Sequence, residues 1–157
     1  MKIRVNTLWR VPVFSLLAGI VCYYLTVYLG GFFYAVKTVE ADGAISLSID
    51  PVRSAIFQAV LFAAGLLVGG LLLFRSMSKM EIALSAAIAV ALQAALSGLL
   101  YVAAQFAPTL VNWLLPLTQW TGALGSVLTK ITQVPVVSWI GLLAPLLFVP
   151  FGKGSTK

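Results

Sequence analysis

The sequence predicts an all-α integral membrane protein: a bundle of four transmembrane helices with a short external β-hairpin-like loop and an external interfacial amphipathic helix. First, 61% of the residues are hydrophobic and only 9% are charged, whereas a soluble domain carries about 25% charged residues. Second, the 10 basic and 4 acidic side chains lie outside the long apolar segments. Third, these segments reach the roughly 20 residues that a helix needs to cross a bilayer.

The first predicted span covers residues 11–36 and follows a basic start at Lys2, Arg4 and Arg10. It is too long for the apolar core of a cleaved signal peptide, so we expect a retained signal-anchor helix. As an α-helix it would exceed the roughly 30 Å hydrocarbon core, which predicts tilt or protrusion.

Residues 37–53 form the most polar internal segment, and they predict a small β-hairpin on the membrane surface. Apolar and polar residues alternate there, and Asp42-Gly43 separates the two halves. Alternation with period two around Asp-Gly is a hairpin signal. An irregular loop is an equally weighted alternative. The apolar members of the pattern are Val39, Ile45, Leu47 and Ile49.

The second and third predicted spans cover residues 52–74 and 79–105, and each has a start signal. Asp50-Pro51 places a good N-cap before a proline at the first helical position. Ser78 and Glu81 have the spacing of a capping box. A short polar turn between the two spans makes them antiparallel neighbours.

The stretch that follows is interrupted by polar residues and prolines. From residue 118 to 132 the polar residues recur at helical spacing, which indicates an amphipathic helix lying in the membrane interface, with Trp113 and Trp120 at headgroup level. A fifth span at 110–128 and a re-entrant segment remain alternatives. The fourth predicted span covers residues 134–151, where we expect a kink at Pro145.

The distribution of Lys and Arg predicts a multi-pass protein of a cell membrane, most simply bacterial, with both termini in the cytoplasm. Four spans place seven basic residues inside and three outside, whereas a fifth span would make the ratio six to four. The inside set is Lys2, Arg4, Arg10, Arg75, Lys79, Lys153 and Lys157, and the outside set is Lys37, Arg53 and Lys130.

Small residues in the second and third spans predict close helix packing. Gly65 and Gly69 form a GxxxG motif, and Ala87, Ala91 and Ala95 follow at four-residue intervals. Small side chains allow backbones to approach in lipid, where the hydrophobic effect does not draw helices together. We expect the two stripes to face each other. The alternative is a homodimer through the two glycines.

Gln93 is the polar side chain deepest in the third span, and we expect it to make an intramembrane polar contact. Amide hydrogen bonds between membrane helices hold them together, so a structural role is the first interpretation. Lining a path for a polar substrate is the second.

The remaining residue types argue against an enzyme and against a metal or cofactor site. There is no histidine, and the one cysteine, Cys22, lies within the first span. Asp50 and Glu81 are explained as helix caps, and Glu40 and Asp42 as part of a solvated loop. Without a positioned acid, base or nucleophile there is no candidate catalytic site.

The predicted partners are the lipid bilayer and either other membrane proteins or a second copy of the chain. The basic residues form no run of five or more, which argues against nucleic acid. We therefore expect a small non-enzymatic membrane protein that acts as an accessory, assembly or interaction subunit. The alternative is a small oligomeric channel or transporter for an uncharged solute.

Overall fold

The computed structural model describes residues 7–39 and 45–153. Five helical elements and one two-stranded hairpin make up the described part. In chain order these are α1 (Arg10–Tyr34), β1 (Ala35–Val39), β2 (Ile45–Ile49), α2 (Pro51–Leu67) with a π-helical continuation (Val68–Leu73), α3 (Lys79–Phe106), α4 (Pro108–Thr132) and a final 3-10 helix (Pro135–Phe151).

Three helices of the described part are long and apolar enough to cross a membrane. They are α1, α2 together with its π-helical continuation, and α3. Their positions agree with the first three predicted spans to within two residues at each end. Their lengths of 25, 23 and 28 residues exceed the roughly 20 that a crossing needs.

The predicted hairpin is confirmed. The strands β1 and β2 pair antiparallel, with Lys37 opposite Leu47 and Val39 opposite Ile45. Thr38 and Ser46 share a hydrogen bond of 2.9 Å between their hydroxyls on the other face. The Asp42-Gly43 turn that predicted this pairing lies outside the described residues.

Both predicted helix starts are confirmed. The Asp50 carboxylate accepts hydrogen bonds from the backbone N–H of Val52 at 2.9 Å and of Arg53 at 3.0 Å. At α3, the Ser78 hydroxyl accepts from the Glu81 N–H at 3.2 Å, and the Glu81 carboxylate accepts from the Ser78 N–H at 3.0 Å. These side chains satisfy N–H groups that the first helical turn leaves without intrahelical partners.

The helix predicted at residues 118–132 differs from expectation in its start and in its surroundings. It begins at Pro108, and it packs against α1, α2, α3 and the final helix. Trp120 is fully buried rather than at headgroup level, whereas Trp113 is exposed. The amphipathic pattern correctly indicated one apolar face, but that face packs against the protein.

The segment predicted as the fourth span is a 3-10 helix of 17 residues rather than a kinked α-helix. Pro145 and Pro150 disfavour the α-helical form because each ring clashes with the carbonyl four residues earlier. A 3-10 helix rises about 2.0 Å per residue, so this one reaches about 34 Å, against about 26 Å for an α-helix of equal length.

Aromatic rings fill the centre of the bundle. The Trp120 ring stacks on Phe62 with ring centroids 5.1 Å apart and on Phe148 at 5.4 Å. Phe14 meets Phe148 edge-on at 5.6 Å, and Phe74 meets Phe148 edge-on at 4.8 Å. These rings come from α1, from α2 and the residue that follows its extension, from α4 and from the final helix, so one cluster joins four parts of the bundle.

Glycines let the backbone of α4 approach two neighbouring helices. A Cβ atom on Gly19 of α1 would lie 2.6 Å from the Pro116 carbonyl oxygen of α4. On its other side, α4 meets the final helix, where a Cβ on Gly125 would lie 2.5 Å from the Ser138 carbonyl oxygen. A Cβ on Gly141 would lie 2.5 Å from the Thr121 carbonyl oxygen. All three approaches are to rigid backbone.

The bundle has two chemically distinct ends. At the basic end, Arg10 donates to the Ser76 hydroxyl at 3.4 Å, and the Lys79 N–H donates to the Lys153 carbonyl at 3.3 Å. At the hairpin end, the Asp50 N–H donates to the Tyr34 carbonyl at 2.8 Å. The basic end is defined by Arg10, Arg75, Lys79 and Lys153, and the hairpin end by β1, β2, the start of α2 and Lys130.

The contact between α1 and α4 predicts an asymmetry between two glycines of the same helix. Gly19→Ala should lower the free energy of unfolding by about 1–3 kcal/mol, the usual cost of overpacking, because a Cβ there meets the α4 backbone. Gly31→Ala is the matched control, because its Cβ would have no atom within 4 Å. Unfolding in mixed detergent micelles measures both, and equal losses would contradict the packing.

Candidate functional site

Gln93 projects from α3 and makes polar contacts with α4. Its side chain is only 1% exposed. The amide nitrogen donates to the Leu117 carbonyl at 3.2 Å. The amide oxygen lies 3.3 Å from the Thr121 hydroxyl, which shares its one proton with the Thr118 carbonyl at 3.0 Å. Both partners belong to α4, so these hydrogen bonds join two helices. This geometry is that of a structural contact between helices.

A groove of about 560 Å³ opens beside this contact, between α3, α4 and the final helix. This size lies within the range of about 300–1,000 Å³ that is typical of small-molecule sites. One face of α4 forms its floor, with Thr118, Gly122, Ser126 and Lys130 at four-residue spacing. Residues of α3 and the final helix form its walls. Those wall residues are Ser97, Leu100, Pro135, Ser138, Trp139 and Leu142.

The hydroxyl groups along the groove fall into two classes. Thr118 and Thr129 donate to carbonyls of their own helix, at 3.2 and 2.9 Å. The hydrogen bonds formed among the described residues leave the hydroxyls of Ser97, Ser126 and Ser138 unused. The groove therefore combines apolar walls with three hydroxyls that have hydrogen-bonding capacity to spare.

Lys130 lies at one end of the groove and is the one charged side chain among its described lining residues. Its ammonium group donates to the Ser54 hydroxyl at 3.1 Å. Ser54 is buried in the first turn of α2, which fixes this end of the groove at the hairpin end of the bundle. The structure thus places one cation beside an otherwise uncharged groove.

The glycines of the predicted GxxxG motif lie inside the chain's own packing. A Cβ on Gly65 would lie 2.5 Å from the indole nitrogen of Trp120. A Cβ on Gly69 would lie 2.7 Å from ring carbons of both Phe14 and Phe148. These glycines therefore make room for aromatic rings of the same chain.

The prediction that this motif faces the alanine stripe of α3 is wrong. Ala87, Ala91 and Ala95 are all exposed, and α2 packs mainly against α4 and α1. The buried face of α3 carries Ile82, Ser85, Ala86, Ala89 and Gln93 instead. The short connection between α2 and α3 made them neighbours in sequence, but α4 occupies the position that the prediction gave to α3.

The described carboxylates are engaged in helix caps. Asp50 caps α2 and also lies 3.5 Å from Arg53, and Glu81 closes the capping box of α3. In residues 7–39 and 45–153, no three His, Cys, Asp or Glu side chains lie together as metal ligands would. Glu40 and Asp42 lie outside the described residues.

Sequence reasoning missed the groove, although it recognised the face of α4 that forms its floor. The polar residues that recur at helical spacing from residue 118 predict a face turned toward water, and four of them line the groove instead: Gly122, Ser126, Thr129 and Lys130. The missing signal was nonlocal, because the walls come from α3 and the final helix. The close contacts of Gly19, Gly125 and Gly141 were missed for the same reason.

Comparison of this chain with protein-family models, with curated proteins and with solved structures finds no match.

The Gln93 contact predicts energetic coupling between α3 and α4. Gln93→Leu should lower the free energy of unfolding by about 0.6–2 kcal/mol, the range of interhelical hydrogen bonds in membranes. Thr121→Val removes one of the same hydrogen bonds. In a double-mutant cycle the two losses should therefore not add, and the cycle should give a coupling energy of at least about 0.5 kcal/mol.

Gln105→Leu is the control for this cycle, because Gln105 is exposed near the end of the same helix. It should change stability little and show no coupling to Thr121→Val. Strict additivity of Gln93→Leu and Thr121→Val would contradict the hydrogen-bonded contact.

Proposed function

We propose that this chain is a multi-pass protein of a cell membrane that acts as a non-enzymatic interaction or assembly subunit. The apolar exposure of the long helices supports the membrane environment. Val21 and Val27 of α1 are each 56% exposed, and Leu72 at the end of α2 is 74% exposed. A soluble monomer rarely exposes contiguous apolar surface of this extent, whereas lipid covers it at no cost.

Four crossings with both termini in the cytoplasm fit this proposal. The final 3-10 helix is long enough to be the fourth crossing, because its extended rise offsets its 17 residues. The basic end gathers four cations and the hairpin end gathers three, in the direction that the positive-inside rule favours. The hairpin end would then face outward.

This orientation predicts opposite labelling of two engineered cysteines. A membrane-impermeant maleimide should label Ser48→Cys in the hairpin of intact cells, and Ser76→Cys at the basic end only after permeabilisation. Cys22 is buried, so background labelling should be low. The reverse pattern would contradict the orientation.

The observation that carries the interaction role is the apolar face of the hairpin. Alternate residues of β2, namely Ile45, Leu47 and Ile49, share one face and are 66–71% exposed, and Val39 of β1 joins them at 71%. Lys37, opposite Leu47, is the one charged residue among the described members of this face. An isolated two-stranded hairpin is only marginally stable in water, and an exposed apolar face adds a further cost. A partner subunit that covered this face would remove that cost.

The packed interior of the bundle favours an interaction role over a transport or catalytic role. Stacked and edge-on rings of Phe14, Phe62, Trp120 and Phe148 occupy the centre, where a solute path through one chain would have to run. Gln93, the candidate for lining such a path, is satisfied by α4. The caps formed by Asp50 and Glu81 likewise hold the described carboxylates in structural roles.

Two adjacent residues on opposite faces of the hairpin test the interaction role. Leu47→Asp should reduce the complex extracted in mild detergent to the 16.7 kDa chain, because it places a charge in the covered face. Ser48→Asp adds the same charge to the other face and should leave the complex intact. Native mass spectrometry of the tagged protein measures the mass of each assembly.

Two outcomes would contradict this role. If Leu47→Asp leaves the mass of the complex unchanged, the hairpin face is not the docking surface. If the wild-type chain purifies alone and gives solute flux in liposomes that Gln93→Leu abolishes, the protein is a transporter.

A further inference from the structure

We propose that the groove between α3, α4 and the final helix holds one anionic phospholipid, with its phosphate at Lys130 and an acyl chain along the floor formed by α4. This inference rests on the membrane location proposed above. It assigns a specific lipid class to one groove, which the interaction role neither requires nor supplies.

The shape of the groove fits a chain-like ligand. Its floor follows α4 from Thr118 to Lys130, three turns of helix or about 18 Å. Gly122, where a Cβ would have no atom within 4 Å, leaves space in the middle of that floor. Leu100 and Leu142 supply apolar walls on either side. An acyl chain lying along this floor would contact methylene and methyl groups for most of its length.

The polar groups are concentrated where a headgroup would lie. Ser126, Thr129 and Lys130 occupy the last two turns of α4, and Ser138 faces them from the final helix. The unused hydroxyls of Ser126 and Ser138 can donate to phosphate or ester oxygens. Trp139 lines the same region and is 59% exposed, which suits an indole at the headgroup level of a bilayer.

Charge selects an anionic rather than a neutral lipid. Lys130 brings the one charge among the described lining residues, and no carboxylate lines the groove with it. Asp50, at the start of the adjoining α2, lies 3.5 Å from Arg53 and caps its own helix. An ammonium group attracts a phosphate that carries a net negative charge more strongly than a headgroup whose charges sum to zero.

Lys130 lines the end of the groove and keeps donors available there. A lysine in the last turn of a helix often does no more than interact with the negative end of the helix dipole. Here the ammonium group instead reaches across to the Ser54 hydroxyl of α2, at 3.1 Å. A single hydroxyl uses one of three ammonium donors, which leaves two for phosphate oxygens.

A lipid is favoured over other occupants because it alone brings both parts of the ligand together. A free anion would satisfy Lys130 but leave the apolar walls of Leu100 and Leu142 uncovered. A second protein helix would not fill a groove of about 560 Å³ that ends at a lysine. In a bilayer, an anionic phospholipid supplies the phosphate and the chain at high local concentration.

Native mass spectrometry of the delipidated full chain tests the site. Phosphatidylglycerol and phosphatidylcholine with the same acyl chains are titrated separately, and one phosphatidylglycerol should bind more tightly. Lys130→Gln should weaken phosphatidylglycerol binding about fivefold, the effect of one basic side chain on an anionic lipid, and should leave phosphatidylcholine unchanged. Ser126→Phe should abolish the one-lipid adduct by filling the groove.

Lys37→Gln is the matched control, because Lys37 is exposed on the hairpin and does not line the groove. Equal binding of the two lipids, or equal weakening by Lys37→Gln and Lys130→Gln, would overturn the proposal. Displacement of phosphatidylglycerol by millimolar inorganic phosphate would overturn it too, because the site would then recognise a free anion.

Alkaline carbonate extraction separates this proposal from the membrane location on which it rests. If carbonate releases the chain from membranes, the proposed membrane location is wrong. If the chain resists extraction yet shows no preference for phosphatidylglycerol, only the groove assignment fails.

Discussion

The indole of Trp120 is the interaction on which the bundle depends. It stacks between Phe62 and Phe148 and meets Phe14 edge-on, and its N–H donates to the Phe62 carbonyl at 3.4 Å. Gly65 leaves the space in which it sits. In lipid the hydrophobic effect does not draw helices together. Dispersion contacts and close packing must therefore hold the helices of this bundle together. A ring that touches three elements at once supplies both.

The groove is a consequence of the same arrangement. The side of α4 that carries Trp120 packs in the aromatic cluster. The opposite side carries glycines and short hydroxyl side chains, which do not fill the space toward α3 and the final helix. Gly125 and Gly141 allow the backbones of α4 and the final helix to approach closely, and the space beside that contact stays open. Tight packing on one face of α4 and a hydroxyl-lined groove on its other face therefore follow from the same distribution of large and small side chains.

The sequence predicted what depends on neighbours along the chain and missed what depends on distant segments. The caps at Asp50 and Ser78 and the pairing around residues 40–44 follow from short-range rules, and they were confirmed. Periodicity identified the two faces of α4, but it carries no information on whether protein, lipid or water covers each face. The glycine motif likewise indicated a close approach without indicating that aromatic rings would make it.

Fluorescence quenching of a single-tryptophan protein tests the central position of Trp120 most directly. Trp9, Trp113 and Trp139 are exposed and are replaced by Phe, which leaves Trp120 as the one indole. Because protein rings surround it, neither iodide in the water nor brominated lipid in the bilayer should quench its emission. A protein that keeps Trp113 instead should be quenched. Quenching of Trp120 to the same extent by either agent would contradict the account.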